Sequence, residues 1–201
     1  MGVPGRVEAA SLLLELDPPV WLLRHSAGVA EVAGYLASRM AARGERVDRA
    51  LVEAAALLHD VDKALPQGDP ARGRPHGEGS AAWLTTRGHG ELAGAVGGHP
   101  VTRLLDDAFD PAAIALETAV VAYADKRVEE RRVPMAVRFA GWRRRYPGSW
   151  TSEQGRRALE RARRLEDRVC RAAGVRPEQI RRLRWVGAAL AAARPSRAAV
   201  A

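Results

Sequence analysis

The stretch LLHDVDKA, residues 57–64, holds an adjacent histidine and aspartate at the point where a predicted helix ends. Apolar residues recur at helical spacing before it, and Asp48 is suited to be the N-cap of that helix. Successive residues on a regular helix point about 100° apart, so His59 and Asp60 can reach one ion together only at a helix end. The turn-forming residues that follow predict such an end here.

Two further ligand-type side chains lie on the apolar faces of neighbouring predicted helices. His25 opens the face of a helix predicted over 26–42, and Asp125 lies on the apolar stripe of a helix predicted to start at Pro111. A carboxylate on an apolar face is costly without a cationic partner. We therefore expect His25 and Asp125 to complete a metal site begun by the His-Asp pair, although Asp125 could instead cap or pair with a neighbouring helix.

The types of ligand available restrict the metal. All the histidines lie in the first half of the chain, at His25, His59, His76, His89 and His99. Cys170 is the only cysteine, so an intramolecular disulfide or a thiolate cluster is excluded. A shell of imidazoles and carboxylates suits a divalent transition metal such as iron, manganese, zinc, cobalt or nickel.

The composition favours an all-α fold. The chain has 201 residues, 47% of them hydrophobic and only 5% aromatic, which fits one helical domain better than a sheet. Residues 65–79 are rich in Pro and Gly and predict a loop, followed by short helices over 80–87 and 91–98. Trp21, Trp83 and Trp142 are interpreted as core residues.

The C-terminal part predicts two more helices. Thr151 and Gln154 have the spacing of a capping box, and Gly174 is suited to end the helix that follows. A last helix is predicted to open at Pro177, with a disordered tail over 194–201.

Charge is distributed unevenly along the chain. Residues 1–130 carry 13 Lys and Arg against 19 Asp and Glu, whereas residues 131–201 carry 19 against 5. A solvated helix face or an arginine-rich genome explains part of this excess. Arg127 and Arg138 could instead bind a phosphorylated substrate beside the metals, or the C-terminal arginines could bind nucleic-acid phosphates without sequence preference. Without a signal sequence or an apolar run of about 18 residues, we expect a cytoplasmic chain with no membrane partner.

The order His25, then His59-Asp60, then Asp125 in AYADKRV resembles the HD superfamily of metal-dependent phosphohydrolases. The segments HGEGSAAWL with His76 and AVGGHP with His99 resemble the extra histidines of members that bind two metals, such as bacterial diadenosine tetraphosphate hydrolases. The resemblance covers residues 20–147 and implies a helical bundle. Residues 148–193 are then a basic helical extension.

The resemblance also implies a distribution of roles. It puts one metal on His25, His59, Asp60 and Asp125 and a second on His76 and His99, with Asp60 bridging. The implied activity is hydrolysis of a phosphate ester or anhydride, in a phosphorylated small molecule such as a nucleotide, by a metal-activated water.

Two residues remain outside this ligand set. Lys63, one turn after the pair, could neutralise a phosphate oxygen or orient the attack. His89 has no counterpart in the pattern and is interpreted as a surface or substrate-contacting residue.

The alternative function is a helical module that binds nucleotide or RNA with little turnover. The oligomeric state is left open.

Overall fold

A computed structural model describes residues 2–129, 131–148 and 150–194 of the chain. Within these ranges the chain forms nine α-helices and no β-strand: α1 (Arg6–Leu14), α2 (Val20–Ala41), α3 (Arg49–Leu58), α4 (Glu78–Thr86), α5 (Ala93–Gly97), α6 (Leu116–Asp125), α7 (Met135–Arg145), α8 (Ser152–Ala173) and α9 (Val186–Ala193). Short 3-10 helices lie at Val61–Ala64, Gly90–Leu92, Val101–Leu105 and Pro177–Gln179. The all-α prediction is confirmed.

The core is formed by α2, α3 and α6, which contact one another. Every residue of α6 from Thr118 to Asp125 is buried, because this helix is surrounded by α2, α3, α5 and α8. In α2 the residues Val29, Val32 and Leu36 are fully buried and follow the predicted helical spacing. The metal-ligand candidates therefore lie on the most constrained elements of the fold.

The predicted helix ends agree with the structure. Asp48 caps α3, its side chain accepting a hydrogen bond from the Leu51 N–H at 3.0 Å. Thr151 and Gln154 form the predicted capping box of α8. Gly174 ends that helix in the left-handed conformation, with φ of 62°.

Two predicted helices are wrong in their first turns. The helix predicted from Pro111 begins only at Leu116, because Asp106 and Asp110 hold the preceding chain in turns by accepting hydrogen bonds from backbone N–H groups two residues on. The helix predicted from Pro177 is a single 3-10 turn, Pro177–Gln179, and the chain then has no regular secondary structure over 180–185. This segment contacts α2, where the Leu183 N–H donates to the Glu31 carbonyl at 3.1 Å.

Residues beyond 148 pack on the rest of the fold. Helix α8 contacts α2 and α6, and α9 contacts α1, a helix that the sequence pattern did not predict. The α8 face turned to the core consists of fully buried apolar residues: Ala158, Ala162, Leu165, Val169 and Ala173. Apart from Arg194, the predicted tail lies outside the described residues. In the described part of the chain, no helix combines the length and hydropathy needed to cross a membrane.

Candidate metal centre

The six predicted metal ligands converge at one place in the helical core. They come from five segments: His25 from α2, His59 and Asp60 from the end of α3, His76 from the loop before α4, His99 after α5, and Asp125 from the last residue of α6. His59, Asp60 and His99 are each at most 1% exposed. Asp60 follows the last turn of α3 and starts a 3-10 turn, as expected for an adjacent pair that faces one site.

One group of ligand atoms forms around Oδ2 of Asp60. The His25 and His59 Nε2 atoms lie 3.2 Å apart, and they are 3.6 and 3.5 Å from Asp60 Oδ2. Asp125 Oδ1 is 3.2 Å from His25 Nε2. These four side chains present two nitrogens and two carboxylate oxygens to one point.

A second group forms around the other oxygen of the same carboxylate. His76 Nε2 lies 3.3 Å and His99 Nε2 3.4 Å from Asp60 Oδ1, and the two nitrogens are 3.2 Å apart. Each carboxylate oxygen of Asp60 thus faces a different pair of imidazoles.

These separations are those of atoms that share a cation. Ligands at about 2.0–2.1 Å from a metal, in tetrahedral to octahedral arrangements, lie about 3.0–3.4 Å from one another. Without a cation, two imidazole Nε2 atoms facing each other at 3.2 Å would repel unless one carried a proton. The arrangement therefore fits one or more divalent metals.

The proton positions on the imidazoles support this assignment. Nδ1 of His59 lies 2.8 Å from the Ala56 carbonyl oxygen, and Nδ1 of His99 lies 2.5 Å from the Val96 carbonyl oxygen. Because a carbonyl oxygen only accepts, both Nδ1 atoms carry the proton and both Nε2 atoms present a lone pair to the site. Asp60 Oδ1 is buried and has no hydrogen-bond partner among the residues described, which leaves it free for a cation.

Burial and neighbouring charges keep the ligands in the forms that bind metal. Burial lowers the pKa of His59 to about 3, so this imidazole is neutral at pH 7. Burial by itself would raise the pKa of Asp125, but the neighbouring His25 and the charge of Lys126 hold it well below its ordinary value. The carboxylate is therefore ionised.

Asp62, two residues after Asp60, orients His76. Its Oδ2 accepts from His76 Nδ1 at 2.9 Å and from the Gly77 N–H at 2.8 Å. Asp62 could also be grouped with Asp60 and His76 as a ligand. Since its Oδ2 is already used by the imidazole, we assign it to positioning the ring.

Replacing Asp62 by alanine should weaken metal binding at His76 and His99 by about 10- to 100-fold, because the His76 ring loses its acceptor. Asp62→Asn is the matched control, since its amide oxygen can still accept from Nδ1. Competition titration against a chelating dye measures both affinities. Equal metal affinity in wild type and Asp62→Ala would remove Asp62 from the site.

Two of the cations predicted to meet substrate lie beside the ligands. Lys63 Nζ is 2.6 Å from Asp60 Oδ2, and its side chain is 39% exposed. Arg138 comes from α7, with one guanidinium nitrogen 3.6 Å from Asp125 Oδ1 and another 3.5 Å from Glu129 Oε1. Both side chains therefore contact carboxylates of the ligand set, Asp60 and Asp125.

Arg127, by contrast, is wrongly predicted as a substrate-binding residue. It is 3% exposed, and one guanidinium nitrogen contacts the Tyr123 hydroxyl at 2.6 Å and Glu166 Oε2 at 2.5 Å. Its Nε donates to the Val133 carbonyl at 2.9 Å. Arg127 lies one turn after Tyr123, on the side that faces α8, and so connects the end of α6 to α8. Its guanidinium is used in these contacts and is not available to a substrate.

Two other polar residues are also structural. Lys126 is fully buried and donates to the carbonyl oxygens of His99 at 2.7 Å and Ala122 at 3.0 Å, while burial lowers its pKa to about 8. His89, expected at the surface or in contact with substrate, is 2% exposed, and its Nδ1 lies 3.0 Å from the Gly2 carbonyl oxygen.

Part of the charge asymmetry is satisfied within the chain. Arg157 and Arg161 of α8 pair with Asp107, and Arg168 donates to the Pro111 carbonyl at 2.9 Å. These arginines hold the turns before α6 against α8. Nucleic-acid binding by the remaining exposed arginines stays a prediction.

Comparisons with known proteins identify the family. The model of the HD domain family matches residues 22–128, which is more than half of the chain and includes all six ligand candidates. No curated protein and no solved structure matches the chain. Members of this family are generally metal-dependent phosphohydrolases. By its sequence match and its buried His-Asp clusters, the chain belongs to the HD domain family.

Proposed function

We propose that this protein hydrolyses a phosphate ester or anhydride bond, in a nucleotide, with two divalent metals bridged by Asp60. The observation that carries the proposal is the position of the Asp60 carboxylate. Its Oδ2 faces His25 and His59, and its Oδ1 faces His76 and His99, at 3.3 to 3.6 Å in every case. A single-ion site would leave one of these imidazole pairs without a cation.

The ligand set divides between the two positions. His25, His59 and Asp125 would hold one ion with Asp60 Oδ2, and His76 and His99 would hold the other with Asp60 Oδ1. Bound there, a pair of divalent cations supplies Lewis acidity toward phosphate oxygens and toward water. The protein fixes the ligands because four of the five segments that supply them are helices or directly follow one.

Substrate would approach from the less buried side of the site. His76 and Lys63 are 41% and 39% exposed, whereas the side chains of His59, Asp60 and His99 are at most 1% exposed. Lys63 can exchange its contact with Asp60 for a phosphate oxygen once the carboxylate is bound by metal. Arg138 adds a second positive charge beside Asp125, so phosphate would lie between them.

A nucleotide is proposed as the substrate because two segments, HGEGSAAWL and AVGGHP, resemble HD proteins that act on dinucleoside polyphosphates. The test is phosphate release from a nucleotide panel by protein purified without oxygen and supplied with manganese, iron or cobalt. A chelator should stop the release, and Asp60→Asn should give none. Absence of release from every nucleotide by metal-loaded wild type would contradict the proposal.

Replacing Lys63 by alanine should lower turnover by about 10- to 100-fold while leaving the metal content unchanged. The reason is that Lys63 is assigned to the charge of the substrate and not to coordination. Steady-state kinetics with elemental analysis of the same samples separates the two roles. An unchanged turnover number on the best substrate would remove Lys63 from the reaction, and loss of metal would show that it supports coordination instead.

A further inference from the structure

The indole of Trp21 is exposed although the sequence suggested a core position. Trp83 is 1% exposed and lies in the core, whereas Trp21 is 55% exposed. The adjoining Val20 is 61% exposed. Leaving a large aromatic ring in water costs free energy that burial would recover. An exposed tryptophan on the helix that carries His25 is a candidate for a binding role.

Trp21 lies one turn before the metal-ligand candidate His25 in α2. Trp21 and His25 are four residues apart in α2, so they lie on the same face with their Cβ atoms about 5–6 Å apart. Side chains of a helix lean toward its N-terminus, which tilts the His25 ring toward the turn that carries Trp21. Trp21 lies in the first turn of α2, where the helix leaves the core.

The other end of this face is closed. One turn after His25, a Cβ built on Gly28 would lie 2.8 Å from a methyl carbon of Val128, which directly follows α6. The polypeptide therefore covers this face at Gly28, beyond His25, whereas Trp21 at the other end of the face is exposed. A substrate with its phosphate beside His25 would extend over the indole of Trp21.

We propose that Trp21 binds the base of a nucleotide substrate by stacking, while its phosphate lies between Lys63 and Arg138. This inference rests on the proposed function, since it takes the metal centre to be the phosphate site. An indole offers a flat surface that every base can stack on, so it contributes affinity with little selection among bases. Purines should bind more tightly than pyrimidines because their rings overlap the indole more.

The test compares two ligands that differ in the base. Calorimetric titration of the manganese-loaded full chain with AMP and with ribose 5-phosphate reports binding without turnover. Trp21→Ala should weaken AMP binding by about tenfold or more and change ribose 5-phosphate binding by less than about twofold. Trp21→Phe should restore most of the loss, since it keeps an aromatic ring.

Val20→Ala is the matched control, because it removes an exposed apolar neighbour that points about 100° away around the helix. The inference is overturned if Trp21→Ala binds AMP as wild type does, if wild type binds AMP no better than ribose 5-phosphate, or if no nucleoside monophosphate binds. It is also overturned if Trp21→Ala changes only the oligomeric mass measured by light scattering.

The two proposals fail in different ways. Hydrolysis that is unaffected by Trp21→Ala in KM and kcat would leave the proposed function intact and remove the base site. Base-dependent binding through Trp21 without any hydrolysis would leave the base site and contradict the phosphohydrolase.

Discussion

Replacing Asp60 by alanine is expected to strip metal from both positions, reducing about two bound equivalents to almost none and abolishing hydrolysis. No other ligand candidate should have so large an effect, because only Asp60 faces both imidazole pairs. Elemental analysis of protein purified without oxygen gives the occupancy, and phosphate release on the same sample gives the activity.

Two further variants test whether the loss of both metals is specific to Asp60. His76→Ala should lose about one equivalent and keep the other, since its imidazole faces a single oxygen of Asp60. Asp167→Ala removes an exposed carboxylate of α8 and should keep both metals. Full occupancy in Asp60→Ala would contradict the bridging role.

Ending the chain at Gly148 should abolish cooperative folding. Helix α8 would then be missing from its place against α2 and α6, and the buried guanidinium of Arg127 would lose Glu166. A buried charge without its partner costs about 3–5 kcal/mol, and whole domains are stable by only about 5–15 kcal/mol. Urea titration followed by circular dichroism measures the transition.

A single substitution tests the same contact in a chain that still folds. Leu165→Ala should lower the free energy of unfolding by about 2–5 kcal/mol, because Leu165 is fully buried. Arg163→Ala, on the exposed side of α8, should change it by less than about 0.5 kcal/mol. If the truncated chain unfolds at the same urea concentration as the full-length chain, residues 149–201 are dispensable for folding.

Because folding is expected to depend on α8, nucleic-acid binding should be tested in the full chain. Truncation removes part of the core, so a loss of binding would not report on charge. Substitution of exposed arginines such as Arg143, Arg144 and Arg163 in the full chain keeps the core and changes only the surface. Salt-sensitive RNA binding that is lost in this variant would support the prediction.

Local signals predicted the metal-bearing part of the fold well. The N-cap at Asp48, the helix end at His59 and Asp60 and the apolar stripe leading to Asp125 each depend on residues close in sequence. Such signals act within one helix and do not need knowledge of its neighbours. The positions of the ligands followed from them together with the family resemblance.

Features that depend on contacts between distant segments were predicted poorly. The sequence pattern does not distinguish Arg127 from Arg138. In the structure Arg127 forms an ion pair with Glu166 of α8, whereas Arg138 lies beside Asp125. The chain between Gln179 and Val186 is not helical, and there the Leu183 N–H and the Arg182 side chain both donate to Glu31 of α2. No local pattern contains these partners, so the sequence alone could not assign these roles.

Phosphate release from the best nucleotide can be followed as metal is added stepwise to metal-free protein. The two-metal site built on Asp60 predicts no release without metal and little with the first equivalent, followed by a steep rise up to about two equivalents. Equal release by the metal-free protein, or full release at one equivalent with no further metal bound, would contradict it.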